Sequence, residues 1–161
     1  MIVLVGFMGA GKTTVGRLLA AELGVSFTDS DHVIEARAGK PIPRIFADEG
    51  EPAFRELEHR VIADLLGGPD IVLAVGGGAV EHPLTGKVLK AERVAFLRVS
   101  FAEALSRVGA DGGRPMLARP DIAGVYASRQ ASYEAAAAIT VDVDGRAPER
   151  ISADILARLG E

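Results

Sequence analysis

Short apolar, β-branched runs alternate with longer stretches of helical periodicity along this 161-residue chain. IVLV (2–5) precedes a helical pattern over 12–23, VSFTD (25–29) precedes helical segments reaching 67, and IVLAV (71–75) precedes 83–91. VAFLRV (94–99) leads into 101–108, and ITVDV (139–143) leads into 147–159. This alternation predicts βαβ units, whose parallel strands are buried on both faces and so read as nearly continuous apolar runs. The expected fold is α/β, a three-layer sandwich around a five-stranded parallel sheet.

Two regions break the rhythm. Between the second and third strands, Ile34, Ile42, Ile45, Phe46, Phe54, Leu57 and Val61 recur among charged residues, which predicts a small helical insertion over about 31–67 rather than one crossover helix. Between 109 and 121, GADGGRPMLARPD mixes glycine, proline and arginine, as suits a mobile surface loop or lid. EAAAAI near 134–139 reads as a helix end entering the last strand, and residues 1–161 are expected to form one domain.

Composition narrows the function classes. A 48% hydrophobic content supports one substantial core. The net charge of −4 provides no basic footprint for nucleic acid, and no apolar run approaches the roughly 18 residues of a membrane span. The apolar run before Gly6 has no basic leader, so a cytoplasmic protein is expected. Without cysteine there are neither disulfides nor thiolate metal sites, and His32, His59 and His82 lack metal-ligand spacing.

Residues 6–13 of GFMGAGKTT match G-x-x-x-x-G-K-[ST], with a predicted strand before and a predicted helix after. Backbone N–H groups from Gly9, Ala10, Gly11, Lys12, Thr13 and Thr14 can converge on phosphate oxygens at the positive end of the following helix. Lys12 would reach the β- and γ-phosphates, and the Thr13 hydroxyl would ligate Mg²⁺. The guanine-specifying N/T-K-x-D sequence is absent, so ATP is the expected nucleotide. The strand IVLAV lacks a terminal aspartate, leaving Asp29 and Asp31 as candidates for the second magnesium-orienting carboxylate.

On the acceptor side, Asp29-Ser30-Asp31 lies at the carboxyl end of a predicted strand, the edge where ligands of open α/β sheets bind. One carboxylate can hold a magnesium-bound water and the other receive a hydroxyl proton; equally, Asp31 can cap a helix beginning at His32. Arg55 and Glu58 share a helix face at i,i+3, which by itself describes an ordinary solvated pair. Gly76-Gly77-Gly78 exceeds what a turn needs and suggests close approach to bare backbone. Arg114 in GGRPML can clamp a transferring phosphate or lie idle on the surface, while Arg129 and Arg146 are individually unremarkable.

Taken in order, GFMGAGKTT, DSD, FRELE, GGGA, GRPML and R-x-x-x-Y at 129–133 resemble the shikimate kinase family, small P-loop enzymes like the nucleoside-monophosphate kinases. The resemblance covers essentially the whole chain. It implies ATP-dependent phosphorylation of the 3-hydroxyl of shikimate, on the route to chorismate and aromatic amino acids. It implies Asp31, Arg55, Gly76, Gly77, Gly78 and Arg129 as substrate contacts, with Glu58 supporting Arg55. Lys12, Asp31 and Arg114 become the catalytic set, with Thr13 and Asp29 at Mg²⁺, Asp29 through water. Arg107, Arg114 and Arg146 fall on the ATP side, and a monomer is expected.

The chain departs from the family pattern at Ala131, Glu134 and Arg44, and none of these removes an implied contact. Two other functions share the phosphate loop. A related small-molecule kinase, such as one acting on gluconate, would not need the DSD, FRELE and GGGA set. A non-catalytic, nucleotide-dependent binding module would need no acceptor.

Overall fold

The computed structural model describes residues 1–111 and 121–160, in which strands and helices alternate. β1 (Ile2–Val5) leads to α1 (Lys12–Leu23), and β2 (Ser26–Asp29) runs directly into α2 (Ser30–Ala38) and α3 (Ile42–Leu66). β3 (Ile71–Ala74) is followed by a 3-10 turn (Ala79–Glu81) and α4 (Pro83–Leu89). β4 (Arg93–Arg98), α5 (Phe101–Asp111), α6 (Ile122–Ala136), β5 (Ile139–Asp142) and α7 (Pro148–Leu159) complete the order. α5 continues to Asp111, past the expected helix end at 108, and residues 112–120 of the expected lid, with Arg114, lie outside the described residues.

The five strands are parallel and ordered β2-β3-β1-β4-β5. After β3 the chain crosses over β1 to begin β4 on its far side, and this reversal opens a crevice outside the carboxyl ends of β1 and β3. The register is level across that edge: Leu4 pairs with Ala74, and Ala74 with Asp29. The phosphate loop, the glycine triplet and DSD therefore leave the sheet side by side. β1 and β3 are wholly buried, whereas β2 exposes Ser26 and half-buries the rest. The expectation of burial on both faces thus fails for β2, an edge strand with a neighbour on one side only.

The main core is built on the sheet, and a second apolar cluster sits within α2 and α3. Ile34, Ile45, Phe54 and Val61 are buried there, with Ile42, Phe46 and Leu57 packed around them. Leu65 touches both clusters and joins them. α3 breaks at Gly50, whose φ of 82° and ψ of 166° would strain any side chain. Pro52 then lies in the first turn of the restarted helix, where a missing N–H does no harm. The break aims the half carrying Arg55 and Glu58 at the sheet edge.

Replacing Ile34, which is fully buried, by alanine should lower the unfolding free energy by about 2–5 kcal/mol in urea titration. A loss below about 1 kcal/mol would mean that this cluster is not packed as a core.

Candidate active site

The phosphate loop wraps the start of α1. Gly11 caps that helix with φ of 89°, a left-handed conformation that leaves successive N–H groups turned toward one concavity. The Lys12 ammonium folds across the loop and donates to the carbonyl oxygens of Gly6 at 2.6 Å and Phe7 at 3.2 Å. Arg107 reaches from α5 to donate to the Gly9 carbonyl at 3.0 Å while pairing with Glu103 at 2.9 Å. The loop is braced from behind by a cation that also faces the cavity.

At the end of β2 the two aspartates divide their roles. Asp29, not Asp31, caps α2: its carboxylate accepts the Asp31 backbone N–H at 2.9 Å, and the helix starts at Ser30. The capping alternative for Asp31 is corrected by two positions, and the Asp31 carboxylate is left facing the cavity. Burial raises the Asp31 pKa above the ordinary aspartate range, as does the charge of Asp29, against the pull of Lys12 and Arg55.

The glycine triplet follows β3 and meets these carboxylates. None of its members has a positive φ, so conformation does not demand glycine there. Space does. A Cβ on Gly76 would lie 2.8 Å from Asp31 Oδ1 and 2.9 Å from Glu58 Oε2, and one on Gly78 would lie 2.6 Å from Arg55 Cζ. A Cβ on Gly77 would make only ordinary contacts, 3.5 Å from the Tyr133 hydroxyl. The Gly76 N–H donates to Ser30 Oγ at 3.3 Å, tying the triplet to DSD.

The Arg55–Glu58 pair is not solvated. Glu58 is 1% exposed, and its Oε1 accepts from Arg55 Nη1 at 2.8 Å. Burial drives the Glu58 carboxyl from its ordinary 4.5 up to about 7, with the charge and hydrogen bond of Arg55 pulling the other way. Burial also works against the Arg55 charge, but Glu58, Glu81 and Glu51 together more than offset it and the guanidinium stays ionised. Arg55 Nε and Glu58 Oε2 are buried without a hydrogen-bond partner among the described residues, so this part of the wall retains unused polar capacity.

Arg129 arrives from α6, 3% exposed, and its Nε donates to Glu81 Oε1 at 3.1 Å. One turn later the fully buried Tyr133 donates its hydroxyl to the Gly77 carbonyl. Its phenol is held well above the ordinary range, chiefly by burial. Arg146 donates to the Asp142 carbonyl at 3.0 Å and to Asp154 at 3.2 Å, standing with Pro148 and Ile151 at the cavity wall.

One cavity of about 950 Å³ gathers these groups. Gly9, Ala10, Gly11, Lys12, Thr13, Thr14, Asp29, Asp31, Arg55, Gly76, Gly77, Gly78, Arg107, Arg129 and Arg146 all line it. Arg114 is the one candidate that lies outside the described residues. Sequence reasoning missed Glu81, whose position directly after the GGGAV turn is visible but whose pairing with Arg129 is not. Ile42, Phe46 and Phe54, read from the sequence only as apolar positions of the helical insertion, both pack its core and face the cavity. Glu51, 3.6 Å from Arg55, carried no distinguishing signal.

A phosphate loop, the buried Arg129 and the half-buried Arg55 facing one cavity, at the crossover point of a parallel sheet, define a P-loop small-molecule phosphotransferase. The shikimate kinase family model matches residues 8–160. The shikimate kinase of Salinispora arenicola is 46% identical over 160 residues, spanning 98% of this chain and 96% of that protein. The structure of shikimate kinase from Acinetobacter baumannii in complex with shikimate superposes with a TM-score of 0.89 at 39% identity, over 96% of this chain and 89% of that one. A gluconokinase from Sinorhizobium meliloti shares the fold alone, at 17% identity and a TM-score of 0.58 over 99% of this chain and 90% of that one. The chain belongs to the shikimate kinase family, whose members phosphorylate shikimate with ATP.

Glu58 binds its proton more tightly folded than unfolded, so between pH 4.5 and about 7 the native state holds the extra proton. Its contribution to stability is therefore present at low pH and declines as pH rises through that window. The pH slope of the unfolding free energy, wild type minus Glu58→Gln, should be negative and total on the order of 3 kcal/mol. A flat or positive difference would contradict a burial-raised Glu58.

Proposed function

We propose that this chain transfers the γ-phosphoryl group of ATP to the 3-hydroxyl of shikimate, with the two ligands lying end to end in the single cavity. The observation that carries the proposal is the grouping of charge on its wall. The phosphate-binding groups of the loop share the cavity with Arg55, Arg129 and Asp31, which gather on the adjoining glycine triplet. A small carboxylate bearing hydroxyls suits that second group: arginines hold the carboxylate, and an aspartate with the Gly77 N–H orients hydroxyls.

In this mechanism Lys12 and the loop N–H groups hold the β- and γ-phosphates, while Arg107 and Arg146 face the rest of the nucleotide. Asp31 positions the acceptor hydroxyl and takes its proton as the oxygen bonds to γ-phosphorus and the bond from that phosphorus to the β,γ-bridging oxygen breaks. A carboxyl pKa raised toward neutrality favours this proton transfer. Arg114 is assigned to the phosphates on the resemblance alone.

Thr13 and Asp29 suit Mg²⁺. Asp29 lines the cavity with one oxygen already committed to capping α2, and no group of three or more His, Asp or Glu among the described residues forms a metal cage. Such a sparse donor set fits an ion that keeps waters and is bound largely by nucleotide phosphates. Thr13 would hold it directly and Asp29 through water, and it would neutralise charge on the phosphates.

We read residues 1–161 as one kinase unit, with a substrate-binding insertion over about 31–67 and a lid over about 109–121. We read it as acting as a monomer. No helix among the described residues is long and apolar enough to cross a membrane, and a cytoplasmic location supplies both substrates.

Coupled ADP-release measurements should show turnover with shikimate and none with gluconate. Arg129→Ala should raise the KM for shikimate by about tenfold or more, the scale of a lost charge-assisted bond, and leave that for ATP nearly unchanged. Turnover with gluconate alone, or equal loss for both ligands, would overturn the proposal.

A further inference from the structure

The short turn after the glycine triplet places a carboxylate behind the arginines. Glu81 closes that turn, its backbone N–H donating to the Gly78 carbonyl at 3.0 Å. The next residue, His82, pins the turn from two sides. Its Nε2 lies 2.6 Å from Glu56 Oε1 on α3, and its Nδ1 accepts the Leu84 N–H at 3.2 Å, capping α4. Glu81 is thus carried on a fixed backbone.

Its carboxylate reaches both arginines unequally. Oε1 accepts from Arg129 Nε at 3.1 Å, while Oε2 lies 3.9 Å from Arg55 Nη2. Arg55 already has Glu58 at 2.8 Å, but Glu81 is the one carboxylate paired with Arg129 among the described residues. Arg129 lines the cavity and Glu81 does not. On the guanidinium's other side, Nη1 lies 3.7 Å from where a Gly77 Cβ would stand, beside the cavity wall.

A guanidinium offers a carboxylate two forked edges, one through Nε and one Nη, the other through both Nη groups. We infer that Glu81 is a positioning residue for substrate recognition: by occupying the Nε edge of Arg129 from behind the wall, it holds the terminal Nη edge toward the substrate carboxylate. Because Arg129 is almost wholly buried, a guanidinium without this partner would lose its paired carboxylate and be less firmly oriented, with the Tyr133 hydroxyl left beside it. This inference rests on the assignment of Arg129 to the substrate carboxylate.

Steady-state kinetics of Glu81→Ala, Glu81→Gln, Arg129→Ala and the Glu81→Ala/Arg129→Ala double variant test it, with thermal melting as a check on folding. Glu81→Ala should raise the KM for shikimate about tenfold, with kcat and the KM for ATP within about twofold of wild type. Glu81→Gln, whose amide oxygen still accepts from Nε, should recover most of that loss and also reads the effect if the alanine variant fails to fold. Added to Arg129→Ala, the Glu81→Ala change should raise the KM no further.

An unchanged or lowered KM for shikimate in Glu81→Ala would overturn the inference, the latter by showing that Glu81 competes with the substrate. Full loss in Glu81→Gln, or additivity in the double variant, would also overturn it. If Arg129→Ala itself leaves the KM for shikimate unchanged, the underlying assignment fails as well. If Arg129→Ala raises it and Glu81→Ala does not, only the positioning role is lost.

Discussion

A buried ionic cluster pressed onto bare backbone is the constraint on which the rest of the site depends. Asp31, Arg55 and Glu58 come from the helical insertion, yet they can share one wall with the phosphate loop only because residues 76 and 78 have no side chains to hold them off. Charges this buried are costly unless paired, and the Arg55–Glu58 contact supplies the pairing. Its unsatisfied atoms, Arg55 Nε and Glu58 Oε2, show that the described residues alone do not complete the cluster. That incompleteness suits a site meant to receive a polar ligand.

The sheet makes this meeting possible. With β3 beside β1, the phosphate loop and the glycine triplet are neighbours, and Asp29 pairs in register with Ala74 at the same edge. Both halves of α3, on either side of the break at Gly50, pack the insertion's own core through Ile45 before it and Phe54 and Val61 after it, and the second half also delivers Arg55 and Glu58 to the site. α6 then brings Arg129 and Tyr133 from the opposite direction, with Tyr133 holding the Gly77 carbonyl. Donor and acceptor groups thus converge from segments far apart in sequence.

Much of this was legible beforehand. The apolar runs located each strand to within a residue or two, and the phosphate loop was explicit because its chemistry is encoded in consecutive residues. Sheet order was not, since periodicity along the chain carries no information about which strands pair. Arg55 and Glu58 looked like a solvated helix pair because i,i+3 spacing specifies neighbours on a helix but not what covers them. Glu81 went unnoticed for the same reason: its importance arises from Arg129, 48 residues away, and only folding sets the two together. The glycine triplet sat between these extremes, its excess visible and its cause, room for charged side chains, visible only in three dimensions.

The most direct test of the central constraint is calorimetric binding of shikimate and of ATP to Gly78→Ala. The added methyl must displace the Arg55 guanidinium, whereas the phosphate loop lies elsewhere on the cavity wall. Shikimate binding should weaken by about tenfold or more, with the Kd for ATP within about twofold of wild type. Unaltered shikimate binding, or equal weakening of both ligands, would contradict the account.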